Sequence, residues 1–387
     1  MMGFGIVIPV LPFFALELGA SSLDIGLLVT VWAAAQFLTT PRWGAFSDRI
    51  GRRPAILIGL LGVGFAFIAM GLATELWMLY AARVTGGLLS ASTMPSAKAY
   101  IADVSTPEER GPSMGLIGAA FGLGFVLGPA IGGLLAPLGI RLTFFIAGSL
   151  GFVTAIPVFF FLPEPKTRDR SATEMSLLTA LRTAAGKSHA ILYWIPFAMT
   201  FAGISLFTML GYYLIDRFGA SETVVGLAFA VNGAVGVITQ GFLIGPATFR
   251  FSEVGTLRLA MVIAGAGYLL LPLAPSVPVL LLCVVLASLG MSLARPVVTS
   301  LLSKATDMTQ GVTMGIQTSY DSMGRMLGPA WAGAIYAVSM HAPYLSSAII
   351  YFVCFFFLQQ ARQQLEAAEG TTLIVPSTTH VASRPDD

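Results

Sequence analysis

The sequence predicts an all-α membrane protein whose twelve transmembrane helices form two pseudo-symmetric bundles of six. Three observations support this prediction. Of 387 residues, 56% are hydrophobic and only 10% are charged, with a mean hydropathy of +0.83, whereas soluble domains carry about 25% charged residues. Long apolar runs alternate with short polar breaks, and part of the sequence repeats itself.

Twelve apolar runs are long enough to cross a membrane as helices. A helix that crosses about 30 Å of hydrocarbon needs about 20 apolar residues. The predicted spans are 1–18, 24–46, 54–74, 76–102, 111–137, 140–162, 191–216, 222–245, 256–274, 277–303, 310–339 and 343–362. The first six spans form a predicted N-terminal bundle over 1–162, and the last six form a C-terminal bundle over 191–362.

The two predicted bundles share sequence at a constant offset of 200 residues. The tripeptide 19–21 recurs at 219–221, and the glycines and proline spaced over 111–133 recur over 311–333. Six spans separate the copies, so both halves insert with the same polarity. Parallel six-helix repeats of this kind are related by an axis along the membrane normal.

The basic residues are distributed asymmetrically between the predicted loops. If the loop around Asp48 is cytoplasmic, fourteen of the 21 Lys and Arg residues lie on that side, five lie within spans, and only Arg141 and Arg217 lie outside. Basic loops are retained on the cytoplasmic side. We therefore expect both termini inside, a cytoplasmic linker over 163–190, and a disordered cytoplasmic tail over 363–387.

The sequence offers no chemistry for an enzyme. It contains no nucleophile–base set, no phosphate-binding loop and no cluster of metal-ligating residues. Cys283 and Cys354 both lie in apolar runs and match no metal or redox spacing. We expect no cofactor, no metal and no nucleic-acid partner.

A charged, glycine-hinged loop joins the second and third predicted spans. It reads Gly44-Ala-Phe-Ser-Asp48-Arg49-Ile-Gly51-Arg52-Arg53. Gly51 permits a tight turn, and the loop resembles the cytoplasmic loop between helices 2 and 3 of the major facilitator superfamily. The resemblance implies the major facilitator fold and a latch between the two halves on the cytoplasmic side. The alternative is that the arginines only anchor the topology.

Spans 4 and 5 resemble those of the drug:proton antiporters with twelve helices. Span 4 reads Arg83-Val-Thr-Gly-Gly87-Leu-Leu-Ser-Ala91, and Asp103 and Arg110 close it with a pattern also seen in that family. The resemblance implies that Arg83 transfers protons or contacts substrate, with snorkelling to the interface as the alternative. Span 5 carries the residues that resemble the antiporter signature, Gly124, Gly128, Pro129, Gly132 and Gly133. Their spacing predicts a kinked helix that another helix can approach closely.

Span 11 carries the acid that is predicted to lie deepest in the membrane. Asp321 is about 17 Å along its helix from Gln310 at 1.5 Å per residue. Arg325 follows at i,i+4, the favourable order for an ion pair. Asp321 is therefore either the protonatable group of a transporter or half of a static buried ion pair.

Polar, aromatic and methionine side chains on the helices that are expected to surround a cavity are candidates for its lining. They are Phe13, Gln36, Met94, Phe121, Tyr212, Tyr213, Asn232, Gln240, Met291, Gln317 and Tyr320. A mostly apolar, adaptable lining suits hydrophobic substrates. The first span departs from the family, because relatives carry an Asp just before the glycines that stand here as Gly3 and Gly5.

The resemblance implies a monomeric secondary transporter of the bacterial inner membrane that exports small hydrophobic compounds or drugs in exchange for protons. A first alternative is a carrier for an acidic metabolite or siderophore. It is suggested by four further basic residues within spans, Arg42, Arg83, Lys98 and Arg295. An alternative of another class is a membrane sensor or scaffold that does not transport.

Overall fold

The computed structural model describes residues 2–165, 190–305 and 310–360. Within these ranges the chain forms thirteen α-helices. In chain order they are α1 (Met2–Glu17), α2 (Ser22–Ile50), α3 (Arg52–Gly71), α4 (Leu76–Ser90), α5 (Thr93–Val104), α6 (Pro107–Leu135), α7 (Ile140–Phe161), α8 (Ala190–Phe218), α9 (Glu222–Ile238), α10 (Ile244–Leu270), α11 (Val277–Ala305), α12 (Gln310–Tyr336) and α13 (Ala342–Gln360). The predicted tail and nearly all of the predicted linker lie outside the described residues.

Described helices cover most of each predicted span, which confirms the predicted all-α membrane fold. Seven of the described helical segments are long and apolar enough to cross a membrane, and α1 and the segment Gly122–Leu138 are shorter apolar helices. Span 4 is divided between α4 and α5 by a short turn at residues 91–92. Between α9 and α10 the chain stays helical through a π-helical turn at Thr239–Leu243.

The helix boundaries follow local capping chemistry where the spans meet polar loops. At the start of α2, the Asp24 backbone N–H donates to the Ser21 hydroxyl at 3.2 Å, and the Ser21 backbone N–H donates to the Asp24 carboxylate at 2.8 Å. This reciprocal capping box satisfies donors that a helix N-terminus leaves free. Between α2 and α3, Gly51 has φ +112°, a conformation that side-chain-bearing residues rarely adopt.

Glycines set the closest helix contacts within each half. A Cβ atom on Gly128 of α6 would lie 2.7 Å from the Cα of Gly5 in α1. In the second half, a Cβ on Gly324 of α12 would lie 2.9 Å from the Phe197 carbonyl oxygen in α8. Helix backbones can approach this closely only where the side chain is absent. The glycine-rich spans 5 and 11 are therefore central packing elements of their bundles.

The two halves meet at one end of the molecule. We call it the closed end; it contains residues 18–21, 136–139, 219–221 and 337–341. There α6 packs on α9, and α12 packs on α2. The Thr223 hydroxyl donates to the Gly133 carbonyl at 3.1 Å, and the Ser22 hydroxyl donates to the Gly333 carbonyl at 3.2 Å. Both carbonyls lie in the last turn of a helix, where no intrahelical donor reaches them.

Candidate functional site

A cavity of about 300 Å³ lies within the second half, among α8, α11 and α12. Its lining residues are Pro196, Met199, Thr200, Arg295, Pro296, Val298, Thr299, Met314, Gln317, Thr318 and Asp321. These residues lie on the halves of their helices that point away from the closed end. We call the opposite end of the molecule, which contains Gly51, residues 162–165 and Ser252, the cavity end.

The Asp321 carboxylate is the centre of the polar cluster in this cavity. Arg325 donates to it through Nε at 3.0 Å and through Nη2. Arg295 reaches the same carboxylate with Nη2 at 3.5 Å. The Thr200 hydroxyl donates to Oδ1 of Asp321, the oxygen that Arg295 also reaches, and it accepts from Arg295 at 3.3 Å. One carboxylate thus connects α8, α11 and α12.

The three helices bring these groups together because each group lies at a similar depth. Thr200 is ten residues from the start of α8, Arg295 is ten residues from the end of α11, and Asp321 is eleven from the start of α12. At 1.5 Å per residue this is about 15 Å from the cavity end of each helix. The groups therefore meet about halfway across a bilayer core of about 30 Å.

Of the predicted cavity residues, Gln317 lines this cavity directly. Its amide donates to the Thr299 hydroxyl at 2.7 Å. Met291 precedes the cavity residues of α11 by about one turn, and its sulfur accepts from the Tyr268 hydroxyl at 3.3 Å. Tyr320 is buried and packs against Trp194, with ring centroids 5.1 Å apart. Tyr320 therefore supports the cavity wall and presents no surface to its interior.

Other predicted cavity residues lie apart from this cavity. Asn232 is buried and donates to Ser288 at 2.9 Å, and Gln36 donates to Ser90 at 2.9 Å. Gln240 is exposed in the π-helical turn. The amides of Asn232 and Gln36 thus satisfy local contacts. The side chain of Phe121 lies outside what the structure describes.

Tyr213, predicted to line a substrate cavity, lies apart from the cavity around Asp321. Tyr213 is fully buried near the closed end, and its hydroxyl bonds His341 at 3.0 Å and accepts from Arg217. Tyr212 lies beside it, with its ring centroid 4.9 Å from that of Tyr336. These tyrosines pack at the end of α8. The aromatic pattern alone does not tell which face of the helix they occupy.

The remaining apolar candidates are Phe13 and Met94. Phe13 is partly buried and packs against the hydrophobic core around α1. Met94 is partly buried near the start of α5. Neither lines the cavity around Asp321.

Arg83 is buried inside the first half, with 3% of its surface exposed. Its guanidinium lies over the ring of Trp32 at 5.3 Å, and its Nε has no hydrogen-bond partner among the described residues. Trp32 in turn stacks on Phe67, with ring centroids 5.9 Å apart. The structure therefore does not support snorkelling of Arg83 to the interface, because its charge lies against an aromatic face inside the bundle.

The predicted loop cluster forms an ionic network within the first half. Arg52 pairs with Asp48 and donates through Nε to Asp103 at 3.0 Å. Arg53 lies over the ring of Phe159 at 5.0 Å. In the conformation described, these contacts join α2, α3, α5 and α7 of one half. Arg49 is exposed, and the side chain of Arg110 lies outside what the structure describes.

Glu164 completes this network, and sequence reasoning did not identify it. Its two carboxylate oxygens accept from the backbone N–H groups of Arg52 at 2.6 Å and Arg53 at 3.0 Å. A carboxylate is favoured at a helix N-terminus, where free N–H groups and the helix dipole meet. A Cβ at Gly51 would lie 2.7 Å from this carboxylate, so the glycine is also needed for space.

The second half has a counterpart of this network with the charges exchanged. Lys304 donates to Glu253 at 2.8 Å, and these positions lie 201 residues after Asp103 and Arg52. The turn at Gly51 is matched by Ser252, with φ +60°. The Ser252 hydroxyl accepts from the Gly255 N–H at 3.3 Å and so caps the following helix.

Comparison with known proteins agrees with this architecture. The family model described as Major Facilitator Superfamily matches residues 1–219 and 192–384. Tetracycline resistance protein, class C, of Escherichia coli is 34% identical over 372 residues, covering 91% of this chain and 92% of the relative. Multidrug resistance protein 2 of Bacillus subtilis (strain 168) is 28% identical over 358 residues, covering 91% and 90%.

Among solved structures, the human organic anion transporter MFSD10 (TETRAN) superposes with a TM-score of 0.67 at 25% identity. That match covers 92% of this chain and 95% of the other. The chain belongs to the Major Facilitator Superfamily, and the protein is a membrane transporter and not an enzyme.

Proposed function

We propose that the protein exports small, largely apolar organic compounds, including drugs, by alternating access, and that protons return on Asp321. The observation that carries this proposal is the cavity around Asp321, which lies towards one end of the molecule while the two halves touch at the other. The relatives named for multidrug and tetracycline resistance support the substrate class. The apolar part of the lining, such as Met199 and Met314, suits compounds of varied shape.

The closed end is the gate that must open for release. The hydroxyl bonds of Ser22 and Thr223 and the glycine contacts beside them join the halves there. Rocking of one six-helix bundle against the other exchanges the side on which the cavity opens. We propose that the cavity end faces the cytoplasm, as the distribution of basic residues predicts, with both termini on that side.

Asp321 is the proposed proton carrier because its charge connects the helices of the cavity. A proton on its carboxylate removes the negative charge that Arg295 and Arg325 share. The attraction between α11 and α12 is then lost, and the helices can move apart. A drug and a proton that bind in turn would thereby favour opposite orientations of the transporter.

The ionic network around Arg52 is the proposed cytoplasmic latch. It holds the start of α3 in a fixed position through Asp103 and Glu164. When the closed end opens, the cavity ends of the two halves approach each other. The exposed Arg49 and the partly exposed Asp48 then lie where they can contact the second half.

Drug uptake into inside-out membrane vesicles tests this function. Vesicles with the wild-type protein should accumulate tetracycline when a proton gradient, acidic inside, is imposed. Asp321→Asn should abolish gradient-driven uptake, and Asp216→Asn is a matched control because Asp216 bonds Tyr336 at the closed end. Full gradient-driven uptake by Asp321→Asn would remove Asp321 from the role of proton carrier.

A further inference from the structure

The polar cluster of the cavity contains more positive than negative charge. Two guanidinium groups, those of Arg295 and Arg325, share the single carboxylate of Asp321, so the three groups carry a net charge of +1. Both arginine side chains are 52% exposed, whereas that of Asp321 is 20% exposed. The positive groups are thus the more accessible members of the cluster.

The two arginines also have hydrogen-bonding capacity that Asp321 does not use. A guanidinium group carries five N–H donors and accepts none. In the described contacts, Arg325 uses Nε and Nη2 on Asp321, and Arg295 uses only Nη2, on Thr200 and Asp321. Arg295, whose Nε and Nη1 have no partner in these contacts, lines the cavity. Arginine forks match the two oxygens of a carboxylate in geometry and charge.

The rest of the cavity wall supplies an apolar surface beside this fork. Met199, Pro296, Val298 and Met314 line it together with the neutral polar groups of Thr299, Gln317 and Thr318. A ligand that carries a carboxylate on an apolar or aromatic body would satisfy both parts of the wall. A cation would instead meet the net positive charge of the cluster.

We infer that this cavity binds organic anions, with the substrate carboxylate on Arg295 and the apolar body against the wall formed by α8, α11 and α12. This inference rests on the proposed function, because it uses the same cavity and the same alternation. It adds a substrate class whose export needs no returning proton. An inside-negative membrane potential favours anion efflux by about fiftyfold per 100 mV for one charge.

Binding of two matched probes tests the inference on the purified wild-type protein. 1-Naphthoate and 1-naphthamide share an aromatic body and differ in the carboxylate. Calorimetric titration should show naphthoate binding at least tenfold more tightly, and Arg295→Gln should remove that preference. Arg295→Lys, which keeps the charge but not the fork, should retain part of it. Arg141→Gln, at an exposed arginine of the closed end, should bind as wild type.

Equal affinity for the two probes, or a preference that survives in Arg295→Gln, overturns the inference. A transport assay separates its failure from that of the proposed function. Proteoliposomes with an imposed potassium diffusion potential and no pH gradient should move naphthoate, whereas a pH gradient should drive tetracycline. Movement of tetracycline without naphthoate contradicts only the inference, and movement of neither contradicts the proposed function as well.

Discussion

Gly133 and Gly226 touch backbone to backbone across the two halves of the molecule, where a Cβ on Gly133 would lie 2.8 Å from the Cα of Gly226. The repeat reproduces this relationship, because a Cβ on Gly333 would lie 3.2 Å from the Cα of Gly26. Each glycine pair is accompanied by one hydroxyl–carbonyl bond, from Thr223 or Ser22. Internal symmetry thus builds the closed end twice from the same parts.

Gly226→Val should prevent the closed end from closing. The added side chain would meet the Gly133 Cα and the Pro129 carbonyl, which are backbone or rigid groups that cannot yield. We expect drug efflux to fall at least tenfold and a cysteine placed at Ser22 to become reactive to maleimide. Gly241→Ala is the control, since a Cβ there meets nothing within 4 Å. Normal efflux by Gly226→Val would show that this contact is not part of the transport cycle.

Ser252→Gly should stabilise the protein. Ser252 has φ 60° and ψ 172°, a region that is almost restricted to glycine and costs about 1–3 kcal/mol for other residues. Replacing a serine N-cap by glycine lowers the free energy of unfolding by only about 0.3 kcal/mol, whereas replacement by alanine lowers it by about 1 kcal/mol. Thermal unfolding in detergent should therefore rank Ser252→Gly above wild type and wild type above Ser252→Ala. A glycine variant less stable than wild type would show that the serine cap outweighs the strain.

The two charge-exchanged ion pairs should differ in their contributions to stability. The side chains of Arg52 and Asp103 are 6% and 2% exposed, whereas those of Lys304 and Glu253 are 32% and 17% exposed. Asp103→Asn leaves a buried guanidinium without that partner, which typically costs about 3–5 kcal/mol. Glu253→Gln should cost about 1 kcal/mol or less because solvent screens the pair.

Unfolding of these two variants in parallel measures the difference. The double variant Glu253→Lys with Lys304→Glu restores an ion pair in reversed order and should recover most of the loss seen for Lys304→Glu alone. Equal costs for Asp103→Asn and Glu253→Gln would contradict the burial argument.

His341 should make stability depend on pH at the closed end. Burial lowers the pKa of His341, and the positive charge of Arg217 lowers it further. The neutral imidazole, hydrogen-bonded to the Tyr213 hydroxyl, is thus favoured in the folded protein. The contribution of the neutral imidazole to the free energy of unfolding is fully present above the pKa of histidine in the unfolded chain, about 6.5. This contribution is lost as the pH falls through the lower pKa of His341 in the folded protein.

Unfolding temperatures at pH 7.5 and pH 5 measure this effect. Wild type should lose more stability between these values than His341→Gln, which keeps an acceptor for the tyrosine hydroxyl but cannot titrate. A pH dependence that is the same in both proteins would assign the effect to other groups.

The helices were predictable from the sequence because the membrane imposes one length and one composition on every span. The partners of Asp321 were predictable only in part. Arg325 follows it by one helical turn, but Thr200 lies 121 residues away and its contact depends on how α8 packs against α12. The sequence shows Arg295 as a charged residue within a span. Its distance from Asp321 along the chain does not predict that the two side chains are in contact.

Glu164 does not stand out in the sequence because it directly follows an apolar span, at the start of the predicted polar linker. The turn at Gly51 offered a signal, since a helix that begins without its own capping side chain needs an acceptor from elsewhere. The position of Tyr213 apart from the cavity around Asp321 was not predictable for a related reason. Residue type indicates that a tyrosine suits a cavity wall, but its position around the helix depends on tertiary packing.

The most direct test of the central claim is proton movement in proteoliposomes that contain a pH-sensitive dye, under an imposed proton gradient and with a panel of lipophilic drugs. We predict drug-dependent proton movement by the wild-type protein and by Asp216→Asn, and its loss in Asp321→Asn. Drug-dependent proton movement that persists at the wild-type rate in Asp321→Asn would contradict it.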